Sequence, residues 1–330
     1  MNTAGKLSAY GLTLALLAIG GWAGGAAVGP VSTAEPRQGS DGHADSHSGT
    51  VAEGHRHDVT TSHEPDGLAS SRNGYTLAVS DTTLTAGRTH SLSFRILGPD
   101  GEPVRTFDVE HEKRLHLILV RRDAVGFRHL HPRLGEDGEW TVPVRLPAAG
   151  SYRMYADFTP TGGESLTLGT DLAVPGDFRP VTHEPSRVWQ DGDYQVRLAG
   201  DIRAGSGSTL TARVTRNGRP VTDLEPYLGA YGHLVALRGS DLAYVHVHPE
   251  GELGNSEPGP EIPFAVQVPS DGDYRLFLDF RHDGQVRTAD FTVRVAAADR
   301  ANTSADSEGA EGSSEPPNED GHGRVGGGDG

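Results

Sequence analysis

The stretch that decides the fold is GEPVRTFDVEHEKRLHLILVRRDAVGFRHLHP, from Gly101 to Pro132, because it occurs twice in the chain. It aligns without a gap on GRPVTDLEPYLGAYGHLVALRGSDLAYVHVHP, from Gly218 to Pro249. Upstream segments also match, and downstream LPAAGSYRMYADF matches VPSDGDYRLFLDF. The whole repeat covers about a hundred residues, which is the size of a domain and not of a solenoid unit. The sequence therefore predicts two tandem domains.

Each copy has the pattern of short β-strands separated by turns. Leu92, Phe94 and Ile96 alternate with polar residues before the turn signal GPDGEP. The run LHLILV has apolar residues on both faces, as in a central sandwich strand. The Gly-Ser-Tyr and Gly-Asp-Tyr steps are typical of the tyrosine corner of immunoglobulin-like sandwiches, and no stretch after residue 30 predicts an amphipathic helix. We therefore predict an all-β fold of two tandem immunoglobulin-like β-sandwich domains, at 73–176 and 190–296, with a linker at 177–189.

The N-terminus carries a segment long enough to cross a bilayer. Leu7 to Gly29 is a run of 23 residues without a charge, and a spanning helix needs about 20. Lys6 precedes the run and acidic sequence follows it, which orients the bulk of the chain away from the cytoplasm. We predict that residues 1–34 are a membrane anchor or, alternatively, a cleaved signal peptide. The folded part is then extracytoplasmic, either anchored in the cell membrane by one helix or secreted.

Two segments lack the apolar residues that a folded core requires. Residues 35–72 are mainly Gly, Ser, Asp and His, and residues 297–330 are acidic and Gly-rich, so we predict that both are disordered. The first is either a solvated linker or a tether that attracts metal ions. Its histidines are His43, His47, His55, His57 and His63.

Composition excludes several classes of function. The 330 residues include no cysteine, which removes disulfides, zinc–thiolate sites and thiol nucleophiles. The net charge of -16 argues against a nucleic-acid partner, because phosphate binding needs a basic face. No Ser-His-Asp order, phosphate loop or close carboxylate pair predicts catalysis, and we expect no enzymatic activity.

Histidines recur at equivalent positions of the repeat. The matched pairs are His116 with His233, His129 with His246, and His131 with His248. Residues two apart on a strand share a face, so the two histidines of each His-x-His-Pro step point the same way. If the hairpin after LHLILV turns at Asp123–Ala124, His116 lies opposite His131. The same register predicts that His233 lies opposite His248.

Three converging imidazoles are a familiar ligand set for Zn²⁺, and imidazole also suits Cu²⁺. Cu⁺ is disfavoured, because Met154 is the only sulfur-containing residue after the N-terminal segment. A carboxylate from the late strand of each copy is a candidate for a fourth ligand, for a hydrogen-bond partner of a ligating histidine, or for a solvated side chain. The predicted metal ligands are His116, His129, His131 and Asp157 in the first domain, and His233, His246, His248 and Asp279 in the second.

The motifs GPDGEPV, HLILVRRD, HLHP and LPAAGSYRMYADF resemble actinobacterial secreted or membrane-anchored proteins of the heavy-metal-binding type. More distantly, residues 73–296 are similar to the YtkA-like and CopC-like extracytoplasmic sandwiches. The resemblance to CopC implies a copper-binding immunoglobulin-like fold. The chain departs from that pattern, because CopC-type sites use an N-terminal histidine that an anchored protein cannot supply.

Three hypotheses for function follow. The first is metal acquisition, buffering or delivery at the cell surface, with the metal ion as ligand and a metal-transport protein as partner. The second is a cell-surface interaction module whose histidines pin the hairpins. The third is a cupin-type metalloenzyme, since HVHPEGE from His246 to Glu252 fits part of the cupin pattern, although the second histidine motif of cupins is missing.

Overall fold

The computed structural model describes residues 65–251, 253 and 256–297, and this part of the chain contains nineteen β-strands and no helix. The strands of the first repeat are β1 Ser71–Arg72, β2 Tyr75–Val79, β3 Thr89–Leu97, β4 His116–Arg121, β5 Arg128–Leu130, β6 Arg133–Leu134, β7 Glu139–Arg145, β8 Gly150–Phe158 and β9 Leu166–Val174. Those of the second are β10 Val188–Asp191, β11 Tyr194–Ala199, β12 Gly207–Arg216, β13 Arg219–Pro220, β14 Gly232–Arg238, β15 Tyr244–Val245, β16 Val247–Pro249, β17 Glu261–Gln267, β18 Gly272–His282 and β19 Gln285–Val295. The prediction of an all-β fold is confirmed.

Each repeat forms a sandwich of two antiparallel sheets. In the first, the sheets have the orders β1-β2-β3-β7-β6 and β5-β4-β8-β9. In the second, they have the orders β10-β11-β12-β17-β16, with β13 also on β12, and β15-β14-β18-β19. The strands β2-β3-β7-β6 and β4-β8-β9 follow the A-B-E-D and C-F-G orders of the immunoglobulin fold.

Both predicted tyrosine corners are present. The hydroxyl of Tyr152 donates to the backbone carbonyl of Ala148 at 2.9 Å, and the hydroxyl of Tyr274 donates to that of Ser270 at 2.9 Å. These bonds tie the start of β8 and of β18 to the turn that precedes each strand, which is the bond that defines this corner.

The strand β4 is buried on both faces because each face belongs to a different core. Leu117 and Leu119 lie in the core of the first sandwich, whereas Ile118 and Val120 lie in a separate apolar cluster. That separate cluster also contains residues of the second sandwich, among them Phe277. The two domains therefore pack through the outer faces of the β4 and β14 sheets.

An approximate two-fold relation governs this interface. Phe127 stacks on Phe277 with ring centroids 4.2 Å apart, and Tyr155 lies 5.6 Å from Tyr244. In the repeat alignment Tyr244 is equivalent to Phe127, and Phe277 is equivalent to Tyr155. The two aromatic pairs are thus related by exchanging the domains, as in an isologous dimer interface.

Part of the predicted disordered linker is instead an ordered segment, Pro65–Arg72, which we call the strap. Asp66 forms a bridge with Tyr244 of the second domain, and the Arg153 side chain of the first domain donates to the carbonyls of Gly67 and Leu68 at 2.5 Å each. Only glycine fits at position 67, because its φ is 71° and a Cβ there would lie 2.5 Å from the Tyr155 ring. The strap is thus held by hydrogen bonds to its backbone from both domains.

The linker between the domains is also shorter than predicted. Ser186 already pairs with Thr292 of β19, and β10 begins at Val188 and not after residue 189. The backbone N–H of Val181 donates to Asp123, whose carboxylate is paired with Arg121.

The predicted anchor or signal, the histidines at 43–63 and the tail from 298 onward lie outside the described residues. Within the described part of the chain, no helix has the length and apolar character needed to cross a membrane.

Candidate metal centre

The first hairpin brings three histidines together as predicted. The strands β4 and β5 pair Ile118 with His129, which is the register that leads His116 toward His131. One ligating nitrogen from each of His116, His129 and His131 lies within 4.8 Å of the other two.

Hydrogen bonds fix which nitrogen of two of these rings carries the proton. His129 Nδ1 lies 3.0 Å from Oδ2 of Asp279, and His116 Nε2 lies 3.1 Å from the backbone carbonyl of Glu110. Because a carboxylate and a carbonyl only accept, both ring nitrogens donate, and in a neutral imidazole the other nitrogen then bears a lone pair. Those other nitrogens, His116 Nδ1 and His129 Nε2, lie 3.0 Å apart. Two facing lone pairs repel unless a proton or a metal cation lies between them.

A fourth imidazole comes from the second domain. The ring of His233 lies 5.5 Å, between centroids, from the rings of His116 and His129. His233 Nε2 and His131 Nε2 are buried and, among the described residues, have no hydrogen-bond partner. We call His116, His129, His131 and His233 the histidine cluster.

Three rings of the histidine cluster, those of His116, His131 and His233, favour the neutral form. Burial, and then the neighbouring histidines, lower the pKa of His116 from 6.5 to about 4, that of His131 to about 3 and that of His233 to about 2. Neutral imidazole is the form that binds metal ions.

The structure does not bring the residues of the predicted second site together, and the prediction that His233 lies opposite His248 is wrong. The second hairpin keeps the expected register only through the pairs Ala236–Val245 and Leu237–Tyr244. The chain then crosses to the other sheet, where β16 places His248 opposite Ala265. In the first domain the equivalent strand, β6, begins three aligned residues later, at Arg133. His248 is therefore carried to the other sheet and is exposed.

His246 lies with Asp157 and not with His233. The hydroxyl of Thr167 donates to Asp157 Oδ1 at 2.9 Å, and His246 Nε2 lies 3.1 Å from the same hydroxyl oxygen. Since the hydroxyl proton is used on Asp157, His246 Nε2 must donate to Thr167, which occupies that nitrogen. Burial raises the pKa of Asp157, and the charge of His246 opposes that shift.

Asp279 acts as a partner of His129 across the domain interface. The hydroxyl of Thr288 donates to Asp279 Oδ1 at 2.5 Å, which leaves Oδ2 for His129. The Asp279 side chain is 4% exposed and that of His129 is 3% exposed. Asp279 is thus behind His129, in the position that orients a metal-binding histidine.

His111 is close to the cluster, although its sequence pattern does not predict a ligand there. Its ring lies 4.7 Å from that of His233 and 6.1 Å from that of His116. The equivalent position in the second repeat is Leu228, so the repeat comparison gives no signal there. Proximity in sequence to His116 is the one clue that the chain offers.

A cavity of about 970 Å³ opens beside the cluster. Six histidines contribute to its wall: His111, His116, His129, His233, His246 and His248. Four carboxyl groups and one guanidinium also line it: Asp66, Glu110, Asp157, Glu164 and Arg72.

A family model described as a domain of unknown function (DUF8832) matches residues 69–176 and again residues 187–297. The chain belongs to this family. The two matches to DUF8832 fall on the two repeats, so each sandwich is one copy of the domain. No curated protein matches the chain. The resemblance to heavy-metal-binding, YtkA-like and CopC-like proteins stays a prediction.

Solved structures that are similar to this chain include FdeC, an Escherichia coli adhesin, at 17% identity and a TM-score of 0.23, covering 70% of this chain and 66% of that one. Invasin, a bacterial integrin-binding protein, matches at 14% identity and a TM-score of 0.20, covering 70% and 41%. The D00-D0 domain of intimin matches at 11% identity and a TM-score of 0.21, covering 67% and 99%. The chain thus spans less than two thirds of the FdeC and invasin chains. Similarities of this size carry no inference about function.

Proposed function

We propose that this protein binds one divalent transition-metal ion, Cu²⁺ or Zn²⁺, between its two sandwich domains. The observation that carries the proposal is the pair of lone-pair nitrogens, His116 Nδ1 and His129 Nε2, held 3.0 Å apart by acceptors on the far side of each ring. Metal–nitrogen bonds of roughly 2.0–2.1 Å at a tetrahedral angle separate two nitrogens by about 3.3 Å. The rings therefore need to part by only a few tenths of an ångström.

The proposed ligands differ from those that the sequence predicts. His131 and His233 supply the other two nitrogens, because both are buried and unpartnered among the described residues. The ion would then be held by three imidazoles of the first domain and one of the second. The proposal is for one site per chain, and it assigns His246, His248 and Asp157 no bond to the ion.

The proposed role is metal acquisition, buffering or delivery outside the cytoplasm, without bond-making chemistry. Support for the location comes from the uncharged run Leu7 to Gly29. Support for a binding role comes from the ligand count, since four imidazoles fill a tetrahedral site and leave no position for a substrate. A partner that donates or receives the ion is part of this proposal.

The alternative is a cell-surface interaction module in which the histidines are structural. Two observations favour it: His129 already bonds Asp279 across the interface, and the rings of His116 and His233 stack at 23° between planes. On this alternative a proton, and not a metal ion, lies between His116 and His129.

Metal analysis and calorimetry of the purified protein distinguish the two. We expect His129→Ala to remove one equivalent of tightly bound Cu²⁺ or Zn²⁺, and His246→Ala, its match in the repeat, to leave the stoichiometry unchanged. Any ions held by the segment before residue 65 are common to both variants and cancel in this comparison. Equal stoichiometry in the wild type and both variants would falsify the metal site and support the structural role.

A further inference from the structure

We infer that the cavity between the domains is the path by which the ion reaches the histidine cluster, and that His111 is the first imidazole to bind it. This inference rests on the proposed metal site. It adds a transient binding residue and a direction of approach to that site.

The burial of the cluster requires such a path. His116 is 6% exposed and the His129 side chain is 3% exposed, so neither ring can meet a hydrated ion at the outer surface. Both rings, with that of His233, contribute to the wall of the 970 Å³ cavity. The cavity is thus the space from which an ion can contact three of the four ligands.

The position of His111 suits a relay by ligand exchange. It lies on the loop before β4, is half-buried, and lines the same cavity. Its ring centroid lies 4.7 Å from that of His233, so one ion can bind both rings during transfer, given metal–nitrogen bonds of roughly 2.0–2.1 Å. Exchange of one ligand at a time avoids a bare ion inside the protein.

A tight turn presents this ring to the cavity. Glu110 and Lys113 exchange two backbone hydrogen bonds, of 2.8 and 2.9 Å, around the tip that carries His111. His111 and Glu112 have φ values of 47° and 65°, in the left-handed region that is costly for residues other than glycine, asparagine and aspartate. Leu228, the equivalent residue, has φ 55°, so the turn belongs to the fold and the imidazole is specific to the first domain.

The charges along the cavity favour the approach of a cation. Four carboxyl groups line it against the single guanidinium of Arg72, which pairs with Asp66. A concave surface lined mainly by one sign of charge raises the local concentration of the opposite ion and its association rate.

Stopped-flow binding of Co²⁺, followed by the visible absorption of the ion among imidazoles, tests the path on the full chain. His111→Asn removes the ring and keeps a residue that tolerates positive φ. We expect the association and dissociation rates to fall by about tenfold each while the dissociation constant changes less than about twofold, because the residue acts on the path and not on the bound state. His90→Asn, which changes a histidine on β3 outside the cavity wall, is the matched control.

Glu164→Gln tests the charge of the path separately. We expect a slower association rate and a weaker dependence of that rate on salt, with little change in the dissociation rate. Rates of His111→Asn equal to those of His90→Asn would exclude His111 from the path. A large loss of affinity at an unchanged association rate would make His111 a ligand of the bound state, which also overturns the inference. If the wild type shows no tetrahedral Co²⁺ spectrum, the proposed function fails first.

Discussion

At the scale of single residues, Asp279 determines which nitrogen of His129 can bind an ion. As long as its carboxylate accepts from Nδ1, the lone pair stays on Nε2, which faces His116 Nδ1 at 3.0 Å. An amide in place of the carboxylate can donate to Nδ1 and move the ring proton to Nε2. The carboxylate thus controls which nitrogen of His129 is free for the proposed ion.

Asp279→Asn should weaken the binding of Cu²⁺ or Zn²⁺ by about 10–100-fold, the usual cost of removing a carboxylate that orients a metal-binding histidine. Asp157→Asn is the matched control, because Asp157 occupies the equivalent position and bonds Thr167. We expect it to change the affinity by less than about threefold. Isothermal titration at pH 7.5 measures both, and an equal loss in the two variants would contradict the assigned role of Asp279.

The pH dependence of stability also originates in single residues. His116, His131 and His233 have folded-state pKa values below the 6.5 of the unfolded chain. At a pH between the folded and the unfolded pKa, a histidine binds more protons in the unfolded state than in the folded state. The free energy of unfolding of the metal-free protein therefore falls as the pH drops below about 6.5. Each histidine contributes a slope of up to about 1.4 kcal/mol per pH unit, and this loss stops once the pH is below its folded pKa.

Urea denaturation of the metal-free protein at several pH values between 7.5 and 4.5 measures that slope. His233→Leu should reduce it, since one buried titrating group is lost. His90→Leu is the control, and a slope that is the same in both variants would show that His233 does not contribute.

At the scale of strands, the residue at which the chain leaves the β4 or β14 sheet decides which histidines meet. The strand β16 pairs Val247 with Val266, in the same register that pairs β6 with β7, but it begins three aligned residues earlier. Leu130 therefore pairs with β4, whereas its equivalent Val247 pairs with β17. His131 stays at the cluster and His248 does not.

This difference predicts opposite effects for two equivalent substitutions. His131→Ala should weaken metal binding by at least about tenfold, because it removes a neutral imidazole ligand. His248→Ala should leave the affinity unchanged, since that side chain is exposed and lies in the other sheet. Competition with a chelator of known affinity measures both, and a comparable loss in His248→Ala would contradict the assignment.

The sequence predicts the local features of the fold and only part of the site. Strand alternation, the tyrosine corners and the register of the first hairpin follow from periodicity and turn chemistry, and the structure confirms them. The sheet crossing does not follow, because FRHLHP and YVHVHP fit either sheet equally well. The sequence also does not predict that His233 lies close to His129. The packing of the two domains brings these residues together, and no strand pairing relates them.

At the scale of the whole molecule, the two repeats of one chain pack on each other as the two subunits of a symmetric dimer do. The contact between Phe127 and Phe277 has its counterpart in that between Tyr155 and Tyr244, yet the histidine arrangement on the two sides differs. On one side of the interface the lone pairs of His116 and His129 face each other. On the other side a Thr167 hydroxyl lies between His246 and Asp157. Duplication followed by divergence is enough to give two equivalent positions different histidine arrangements.

An ion held by residues of both domains should stabilise them together. At a free concentration of 100 times the dissociation constant, the ion adds about 2.7 kcal/mol to the free energy of unfolding. We expect calorimetry of the wild type to show both domains shifting to higher temperature with metal, and His233→Ala to confine the shift to the first domain. His248→Ala is the control, and a joint shift in His233→Ala as large as in the wild type would show that His233 does not hold the ion.

Removing an aromatic ring from the interface should cost about 3–5 kcal/mol, as for other large-to-small core changes. Phe277→Ala tests this, because Phe277 is 3% exposed and stacks on Phe127. Chemical denaturation gives the loss, and Val286→Ala, at an exposed residue of β19, is the control. A loss below about 1 kcal/mol would indicate that the two domains pack only loosely.

The strap gives the molecule a mechanical property. A pull on the chain ahead of Pro65 acts first on the Arg153 bonds to Gly67 and Leu68 and on the bridge from Asp66 to Tyr244, and so loads both domains at their junction. The tension is shared between the sandwiches before either sheet is sheared. Because Asp66 also lines the cavity, a pull strong enough to detach the strap would remove part of the cavity wall, and force on the N-terminal side would alter access to the histidines.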